Sequence, residues 1–499
     1  MKLVELPTEV IAQILSELHN TKDLYNCLLT CKLLNNVAKV EEIWKERIRR
    51  DYSLLSYVSE QSPIFRKSKF KQLYKALSNP EVFVWGSTEN GRSGIDNETL
   101  DSLDGMYSEL HSPCWLKEMS KKGVSSIVCG GFMMLALTHD KKVYFWGTFN
   151  GSVYAYPYSK GKSTPIQLNV FPANEKIEQL SSGRYHALAL TEDGLVYQID
   201  NPDTLACLIE LSNDSSPIIQ IAAGFSSNLV LTKDNKIYYW NYEYSIKSKS
   251  YFELVYTLNE NEKFIKIAAG DKFSLALTNQ GRVIYWATFQ LREPETESIG
   301  EPVSKWELTH QNSLDGKVLN QVADFKVSHI TAQFENFAVF SENQELWIGI
   351  IRMEGGIEGD EPYLSIEINL REDLGKGKPI QVSFGDWHTA VLMEEGRLYT
   401  WGEHGLGHGQ PTSRFNPTTV VEPKLVSYFG DDYFVFYTAC AGWHTAALAV
   451  NLRDLNATPP EYPIQERTQQ VNRLADLLTQ IVNSFVQLRG EVTFQSGRH

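Results

Sequence analysis

Few residues of this chain have the types and spacing that chemistry requires. Gly161-Lys162-Ser163 matches the end of a phosphate-binding loop, in which backbone N–H groups and a lysine hold phosphates. Such a loop needs another glycine five residues before Gly161, where this chain has Tyr156. His404 and His408 are four residues apart, a spacing that suits zinc on a helix. They stand among glycines, which disfavour a helix, and no third ligand is nearby, so neither motif predicts a phosphate or metal site.

Histidines and cysteines could also supply bases, nucleophiles or metal ligands. His186, His388 and His444 occupy the same position of a repeated pattern, which favours structural hydrogen bonding over catalysis. Cys27 and Cys31 lie four residues apart on an apolar face, as core or interface residues do. The sequence contains no nucleophile elbow, kinase motif set or paired carboxylates. It therefore predicts a non-catalytic chain without metal or cofactor; an active site assembled from distant loops is the alternative.

Composition and charge narrow the classes of partner. The 499 residues are 42% hydrophobic and carry a formal net charge of −14, whereas nucleic-acid binders are usually basic. The sequence has six cysteines without a C-x-x-C pair, no signal-peptide pattern and no apolar run of about 18 residues. These features predict a protein of a reducing compartment, the cytoplasm or the nucleus, that does not contact a membrane. Residues 1–80 have 13 Lys and Arg against 9 Asp and Glu, which leaves −18 for the remainder and indicates a boundary near residue 80.

The elements that position these residues come from an internal repeat. Seven segments share a small residue, a short apolar strand, a polar turn and a second apolar strand; they start at 130, 183, 224, 270, 333, 385 and 441. The glycines that open five of them are Gly130, Gly183, Gly224, Gly270 and Gly385. Sixteen residues after the first six starts stand Trp146, Ile199, Trp240, Trp286, Gly349 and Trp401. A constant inner length with variable spacing between units predicts paired strands joined by loops of free length.

The two ends of the repeat complete each other. Val82-Phe83-Val84-Trp85-Gly86 is the second half of a unit without a first half, and Ala441–Val450 is a first half without a second. An open stack would leave an unpaired sheet edge at each end, which invites aggregation. We therefore predict a mainly β fold, a seven-bladed β-propeller over about 80–452 that is closed by residues 82–86 and 441–450.

The best copy of the repeat is Gly385–Gly409, which contains His388, Trp401 and Gly402. Together with Trp85-Gly86, it resembles the regulator of chromosome condensation repeat, whose proteins are seven-bladed propellers. The pattern is worn at Ile199-Asp200 and Gly349-Ile350. The resemblance implies a binding platform, and a guanine-nucleotide exchange or chromatin-associated factor is the alternative function that it suggests.

The N-terminal segment has the pattern of three short amphipathic helices. Leu6-Pro7-Thr8-Glu9 opens the first, apolar residues with Cys27 and Cys31 mark the second, and Ile43-Trp44 anchors the third. The segment resembles an F-box, a family that docks on a Skp-type adaptor of cullin-based ubiquitin ligases. The positions that the resemblance carries over as adaptor-binding residues are Leu6, Pro7, Ile11, Ile14, Leu18 and Leu24.

These observations predict four regions: an all-α F-box at 1–47, a helical linker at 48–79, the propeller at 80–452 and a C-terminal amphipathic helix at 465–489. The C-terminal helix is expected either to pack on the propeller or to mediate oligomerisation. The expected function is substrate recognition in a Skp–cullin–F-box ubiquitin ligase, with the propeller holding a protein target for degradation. The acidic propeller region favours a target with a basic surface. The sequence does not identify that target.

Overall fold

A computed structural model describes residues 7–16, 32–37, 41–52, 58, 62, 64–65, 69–102, 109–120, 122–149, 151, 161–211, 216–242, 251–288, 316–355, 363–375, 377–409 and 419–456. Its contacts divide the chain into two units, Met1–Leu77 with Asn451–His499, and Ser78–Val450. The predicted C-terminal helix at 465–489 lies outside the described residues. No helix within the described ranges is long and apolar enough to cross a membrane.

The first unit is helical and centres on one amphipathic helix. Its helices are α1 Thr8–Ser16, α2 Lys32–Val37, α3 Glu41–Asp51 and α4 Phe70–Leu77. Helix α3 buries Ile43, Trp44, Arg47 and Ile48, and it packs against both α1 and α4. Because α3 continues to Asp51, it runs through the boundary predicted at residue 47 between the F-box and the linker.

The second unit is the predicted seven-bladed propeller, built from seven antiparallel four-stranded sheets. We number the blades by the order in which their first strands appear, beginning with β3. Blade 1 contains β3 Val124–Cys129, β4 Met133–Thr138, β5 Val143–Gly147 and β6 Lys162–Gln167. Blade 2 contains β7 Ile177–Ser182, β8 Ala187–Thr191, β9 Val196–Ile199 and β10 Cys207–Ile209. Blade 3 contains β11 Ile218–Ala223, β12 Ser227–Thr232, β13 Ile237–Asn241 and β14 Phe252–Leu254.

The remaining blades follow the same order from first to fourth strand. Blade 4 contains β15 Phe264–Ala269, β16 Phe273–Thr278, β17 Val283–Ala287 and β18 Lys317–Val318. Blade 5 contains β19 Val327–Gln333, β20 Asn336–Ser341, β21 Leu346–Glu354 and β22 Tyr363–Leu370. Blade 6 contains β23 Pro379–Phe384, β24 His388–Met393, β25 Leu398–Gly402 and β26 Val420–Leu425. Blade 7 contains β27 Tyr433–Ala441, β28 His444–Asn451, β1 Glu81–Ser87 and β2 Glu109–Trp115, and a short helix α5 (Asn97–Ser102) lies between β1 and β2.

Blade 7 joins strands from the two ends of the propeller sequence. Strand β1 pairs antiparallel with β28 over six consecutive positions, from Glu81 opposite Ala449 to Gly86 opposite His444. Phe83 at the middle of β1 is fully buried, and its ring makes edge contacts with Phe429 and Tyr433. This one pairing therefore joins the two ends of the propeller sequence and closes the ring of blades.

The core is a set of apolar layers, each between two consecutive blades. One layer joins Leu135 and Phe145 of blade 1 to Ala187 and Ala189 of blade 2. Equivalent layers join blades 2 and 3, 3 and 4, 4 and 5, and 5 and 6. Small residues on the second strands let adjacent sheets approach closely, which explains the alternation of Leu and Ala in the repeat.

A polar side chain four residues before the repeat start links the first strands of neighbouring blades. We call this position, occupied by Gln179, Gln220, Lys266 and Gln381 in blades 2, 3, 4 and 6, the polar rung. Gln179 exchanges hydrogen bonds with the backbone of Ile221, and Gln381 does the same with Thr438. Gln220 accepts from the N–H of Ile267 at 2.8 Å. In blade 4 the position is Lys266, whose Nζ lies 2.8 Å from Nε2 of His329 on blade 5.

Candidate functional site

The topology collects seven short turns at one end of the propeller. Each turn joins the first and second strands of a blade, and we call these seven turns the mouth turns. They are Gly131-Phe132, Arg184-Tyr185, Phe225-Ser226, Asp271-Lys272, Phe334-Glu335, Asp386-Trp387 and Gly442-Trp443. The third strand of each blade ends beside its mouth turn, as the pairings of Met133 with Gly147 and Ser227 with Asn241 show. The loops that follow the third strands therefore leave from this same end, including those after residues 87, 241 and 287.

Backbone groups of the mouth turns approach one another around the axis. Gly131 donates to the carbonyl of Arg184, Arg184 donates to that of Phe225, and Asp271 donates to that of Phe334. The glycines just before the turns are required by this closeness, since a Cβ on Gly224 would lie 2.1 Å from the carbonyl oxygen of Gly270. A cavity lined by mouth-turn residues of six blades opens between them.

One ion pair crosses this cavity. Nη1 of Arg184 on blade 2 lies 2.9 Å from Oδ2 of Asp386 on blade 6, and both side chains are mostly buried. The guanidinium also lies over the ring of Phe225 at 4.6 Å and over that of Phe132 at 5.2 Å. The Arg184 guanidinium thus pairs with a carboxylate and contacts two aromatic faces at once, and these contacts together fix its position.

Aromatic rings surround the crossing pair. Phe132 stacks on Tyr185 with ring centres 5.8 Å apart, and Trp443 stacks on His404 at 4.8 Å. Trp387 is 59% exposed, which is unusual for so large an apolar side chain. Tryptophan, tyrosine and arginine are the residue types that dominate the binding energy of protein interfaces. The arrangement suits the binding of a protein surface at this end of the propeller.

Three consecutive blades retain a Trp-Gly pair beside their mouth turns. Gly402, Gly86 and Gly147 of blades 6, 7 and 1 have φ values of 106°, 94° and 90°. The residue after the glycine donates to a mouth turn, as Glu403 does to Trp387 and Thr148 does to Phe132, and the equivalent bond also forms in blades 3, 4 and 5, which lack this glycine. Trp85 and Trp146 are buried behind these glycines.

The other predicted repeat residues lie inside the blades. Trp240 and Trp286 are buried, whereas Trp401 is half-buried beneath the Arg371 guanidinium, which lies 5.0 Å from its ring centre. Gly130, Gly183, Gly224, Gly270 and Gly385 all stand directly before mouth turns. In the degenerate repeat of blade 5, Gly349 occupies the position that is tryptophan in other blades, and it faces the ring of Phe337.

The recurring histidines link neighbouring blades. Nε2 of His388 lies 2.8 Å from Oγ1 of Thr445, and Nε2 of His186 lies 2.6 Å from Oδ1 of Asn228. Burial lowers the pKa of His388 to about 4 and that of His444 well below its usual value, so both rings are neutral near pH 7.

His404 and His408 do not form a zinc site together. His404 faces Glu109 at 3.4 Å, whereas His408 lies 2.9 Å from Oγ1 of Thr400. The described ranges contain no cluster of three or more His, Cys, Asp or Glu that could hold a metal.

The predicted adaptor-binding residues fall into three groups. Leu6, Leu18 and Leu24 lie outside the described residues. Pro7 is exposed at the start of α1. Ile11 and Ile14 are buried, with 0% and 2% of their surface accessible. Both side chains therefore pack inside the chain in this conformation, and adaptor docking by the predicted residues stays a prediction.

Sequence reasoning missed the polar centre of the helical unit. Arg47 is fully buried on α3, its Nη2 lies 3.5 Å from Oδ2 of Asp51, and its guanidinium lies 5.5 Å from the ring centre of Tyr74. The Tyr74 hydroxyl donates to the same carboxylate at 2.7 Å. The sequence shows Arg47 only as one of several bases at the end of a helix, and charged residues are rarely buried.

The comparisons with known proteins agree with both parts of the chain. Residues 3–50 match the F-box-like family model, and residues 380–410 match the model of the regulator of chromosome condensation (RCC1) repeat. The chain thus contains an F-box-like domain and an RCC1 repeat within a seven-bladed propeller. It is similar to SCF-associated factor 1 of Saccharomyces cerevisiae, with 25% identity over 73% of the chain and 53% of that protein.

Two further comparisons concern the propeller of this chain. It is 28% identical to Protein RCC1 of Candida albicans over 29% of the chain and 36% of that protein. The crystal structure of human WBSCR16 covers 75% of the chain and 99% of its own length, with a TM-score of 0.54 and 18% identity, which shows the shared fold. The matched segments span about a third to a half of the two sequence relatives' own lengths.

Proposed function

We propose that this protein is the substrate-recognition subunit of a Skp–cullin–F-box ubiquitin ligase. The observation that carries the proposal is the combination, in one chain, of an F-box-like segment at 3–50 with an RCC1-type propeller. The alignment with SCF-associated factor 1 over 73% of the chain supports it. In this role the F-box docks on the Skp-type adaptor, and the propeller binds a protein that is then ubiquitinated and degraded.

The helical unit supports the adaptor side of the proposal. Ile11, Ile14 and Leu15 are buried, so α1 is anchored by its apolar stripe. Pro7 at its start is exposed, which leaves the N-terminal end of α1 accessible to a partner. An anchored helix presents its exposed residues with little loss of conformational freedom on binding.

The mouth turns support the target side. A half-exposed Trp387 beside an ordered Arg184–Asp386 pair gives a preformed surface with an aromatic anchor. The subunit itself forms no covalent bond. It raises the effective concentration of target lysines near the ubiquitin-loaded enzyme, in the cytoplasm or the nucleus.

The adaptor role is tested by affinity capture of the full chain with a purified Skp-type adaptor. The double variant Leu6→Ala, Pro7→Ala is expected to lose most adaptor binding, whereas Lys75→Ala, an exposed change on α4, retains it. Circular dichroism confirms that both variants are folded. If the double variant binds as well as wild type, the docking assignment is wrong.

A second candidate function comes from the likeness to Protein RCC1 of Candida albicans. A propeller of this type could act as a guanine-nucleotide exchange or chromatin-associated factor. The net charge of −18 beyond residue 80 weighs against chromatin binding, which needs a basic surface. Nucleotide release from small GTPases, measured with a fluorescent nucleotide, decides the exchange alternative: acceleration by catalytic amounts of the chain supports it.

A further inference from the structure

The fourth strands of the blades differ greatly as exposed sheet edges. Strands β10, β14 and β18 have only three, three and two residues. Strands β2, β6 and β26 are longer, but each contains a proline and an irregular register, at Pro113, Pro165 and Pro423. Short edges, prolines and bulges are the devices that prevent another chain from pairing with a sheet.

Strand β22 of blade 5 has none of these protections. It pairs with β21 over eight consecutive residues, from Tyr363 to Leu370, without a register shift. It contains no proline, and three of its eight residues, Tyr363, Ile366 and Ile368, are aromatic or β-branched types that favour strands. It ends its sheet, so within the described part of the chain no strand lies on its outer side.

The backbone groups on that outer side can be assigned. Arg371 donates to the carbonyl of Leu346, so this opposed pair is a hydrogen-bonded one. Hydrogen-bonded and non-hydrogen-bonded pairs alternate along an antiparallel ladder. The N–H and C=O groups of Leu364, Ile366, Ile368 and Leu370 therefore point away from β21.

The two faces of β22 define what can lie beside it. Leu364, Ile366 and Ile368 are half-buried against the apolar layer between blades 4 and 5. Glu367 and Asn369 on the opposite face are exposed. A strand added at this edge places alternate side chains beside the apolar row and the others beside Glu367.

The negative charge around β22 indicates which class of partner would bind there. The sequence from Arg352 to Asp373 contains seven acidic residues and two arginines. A second copy of the chain would bring two such acidic hairpins together, which like charges oppose. A segment with alternating apolar and basic residues complements both the row of half-buried aliphatic side chains and the negative charge.

We infer that the outer edge of β22 binds an extended, basic segment of a partner protein as a fifth strand of blade 5. Backbone hydrogen bonds supply most of the attraction, and the alternation of apolar and basic side chains sets the register. This site is separate from the mouth turns, and its occupant need not be a ubiquitination target, so the inference stands apart from the proposed ligase role.

The test uses the full chain and a fluorescent peptide of about eight residues, the length of β22, in which lysine or arginine alternates with valine. A peptide of the same composition, with its basic residues in one block and its valines in another, controls for non-specific attraction to an acidic protein. The alternating peptide is expected to bind at least about tenfold more tightly in fluorescence anisotropy. Equal binding of the two peptides, or no binding of either, overturns the inference.

Two variants separate backbone pairing from side-chain packing. Ile366→Pro removes one outward N–H without touching a bond to β21, and we expect it to weaken binding about tenfold or more. Ile366→Ala loses similar apolar contacts but keeps the N–H, and its affinity should stay within about threefold of wild type. Equal losses in both variants would show that no strand is added.

Hydrogen exchange with residue resolution locates the peptide on the chain. Bound peptide should slow exchange at the amides of Leu364, Ile366 and Ile368, and leave those of Ser365 and Glu367 unchanged because they already bond to β21. Slowed exchange elsewhere, with none in β22, would overturn the inference, as would pairing of two β22 edges in a dimer.

Discussion

Arg184 and Asp386 form an ion pair between blades that are not neighbours. Arg184 belongs to blade 2 and Asp386 to blade 6, so blades 7 and 1 lie between them in the ring. The 2.9 Å contact therefore crosses the end of the propeller that carries the mouth turns. It links blade 2 to blade 6 across the side of the ring that contains the three retained Trp-Gly pairs.

We predict that this pair contributes measurably to stability. Arg184→Ala should lower the free energy of unfolding by about 1–2 kcal/mol, because both partners are mostly buried and the guanidinium also contacts two aromatic rings. Asp386→Asn should cost about 1 kcal/mol, and the double variant should show a coupling of about 1 kcal/mol in urea titrations.

The matched control is the pair of Arg352 and Glu335, whose side chains are 53% and 38% exposed. Exposed pairs contribute little, so the coupling between Arg352→Ala and Glu335→Gln should be close to zero. Similar couplings for the two pairs would show that the crossing pair has no special role.

A second prediction concerns the pairing of β1 with β28. Phe83→Ala should destabilise the propeller by about 3–5 kcal/mol, because it removes a fully buried ring from the pairing that closes blade 7. Tyr428→Ala removes a ring that contacts Phe83 but is 47% exposed, and should cost less than about 2 kcal/mol.

Thermal unfolding of the two variants checks this difference. If Phe83→Ala costs no more than Tyr428→Ala, then β1 does not contribute to the stability of the ring in the way its burial indicates.

The propeller was predictable because its repeat has fixed inner spacing. In the first six units the second strand ends and the third strand begins at the same distances from the repeat start, and a half unit at each end requires closure. The glycines before the mouth turns were also visible, since close approach of backbones permits no side chain at Gly224 or Gly183. Such constraints are local and leave a direct trace in residue type.

The mouth turns were less visible because their chemistry depends on contacts between distant blades. Nothing in the sequence near Arg184 or Asp386 indicates that they meet, 202 positions apart. The signal that could have found them is positional: they follow their repeat starts by one residue, so aligning the seven copies places both on one ring of turns. The burial of Ile11 and Ile14 was not visible either, because an apolar helix stripe looks the same in sequence whether it faces a partner or the chain's own core.

A third prediction tests the Trp-Gly pairs. Gly402→Ala should destabilise the chain by about 2–4 kcal/mol, since φ is 106° and the new Cβ would lie 2.1 Å from the carbonyl oxygen of Trp387. Gly430→Ala also places alanine at positive φ, but its nearest contact is 3.9 Å away, so about 1 kcal/mol is expected. Urea titration of both variants measures the contribution of the close approach, and equal costs would contradict it.

The last prediction follows from the one lysine in the polar rung. Burial lowers the pKa of Lys266 to about 8, and burial together with the charge of Lys266 lowers that of His329 to about 3. Glutamine fills the same position in blades 2, 3 and 6, where it bonds to the next blade. Lys266→Gln should therefore raise the free energy of unfolding by about 1 kcal/mol at pH 7, because a half-buried charge is replaced by a neutral hydrogen-bonding group.

The pH dependence of this gain has a definite sign. Below about pH 8 the lysine is charged in both states, so the folded wild type carries the full cost of burial. Between about pH 8 and 10.5 the folded chain has lost the proton that the unfolded chain retains, so the stability of the wild type rises with pH. The advantage of Lys266→Gln must shrink across this window, whereas Lys263→Gln, an exposed change nearby, should alter stability by no more than about 0.5 kcal/mol at any pH. An advantage of Lys266→Gln that is constant from pH 7 to 10.5 would show that the buried charge is not its cause.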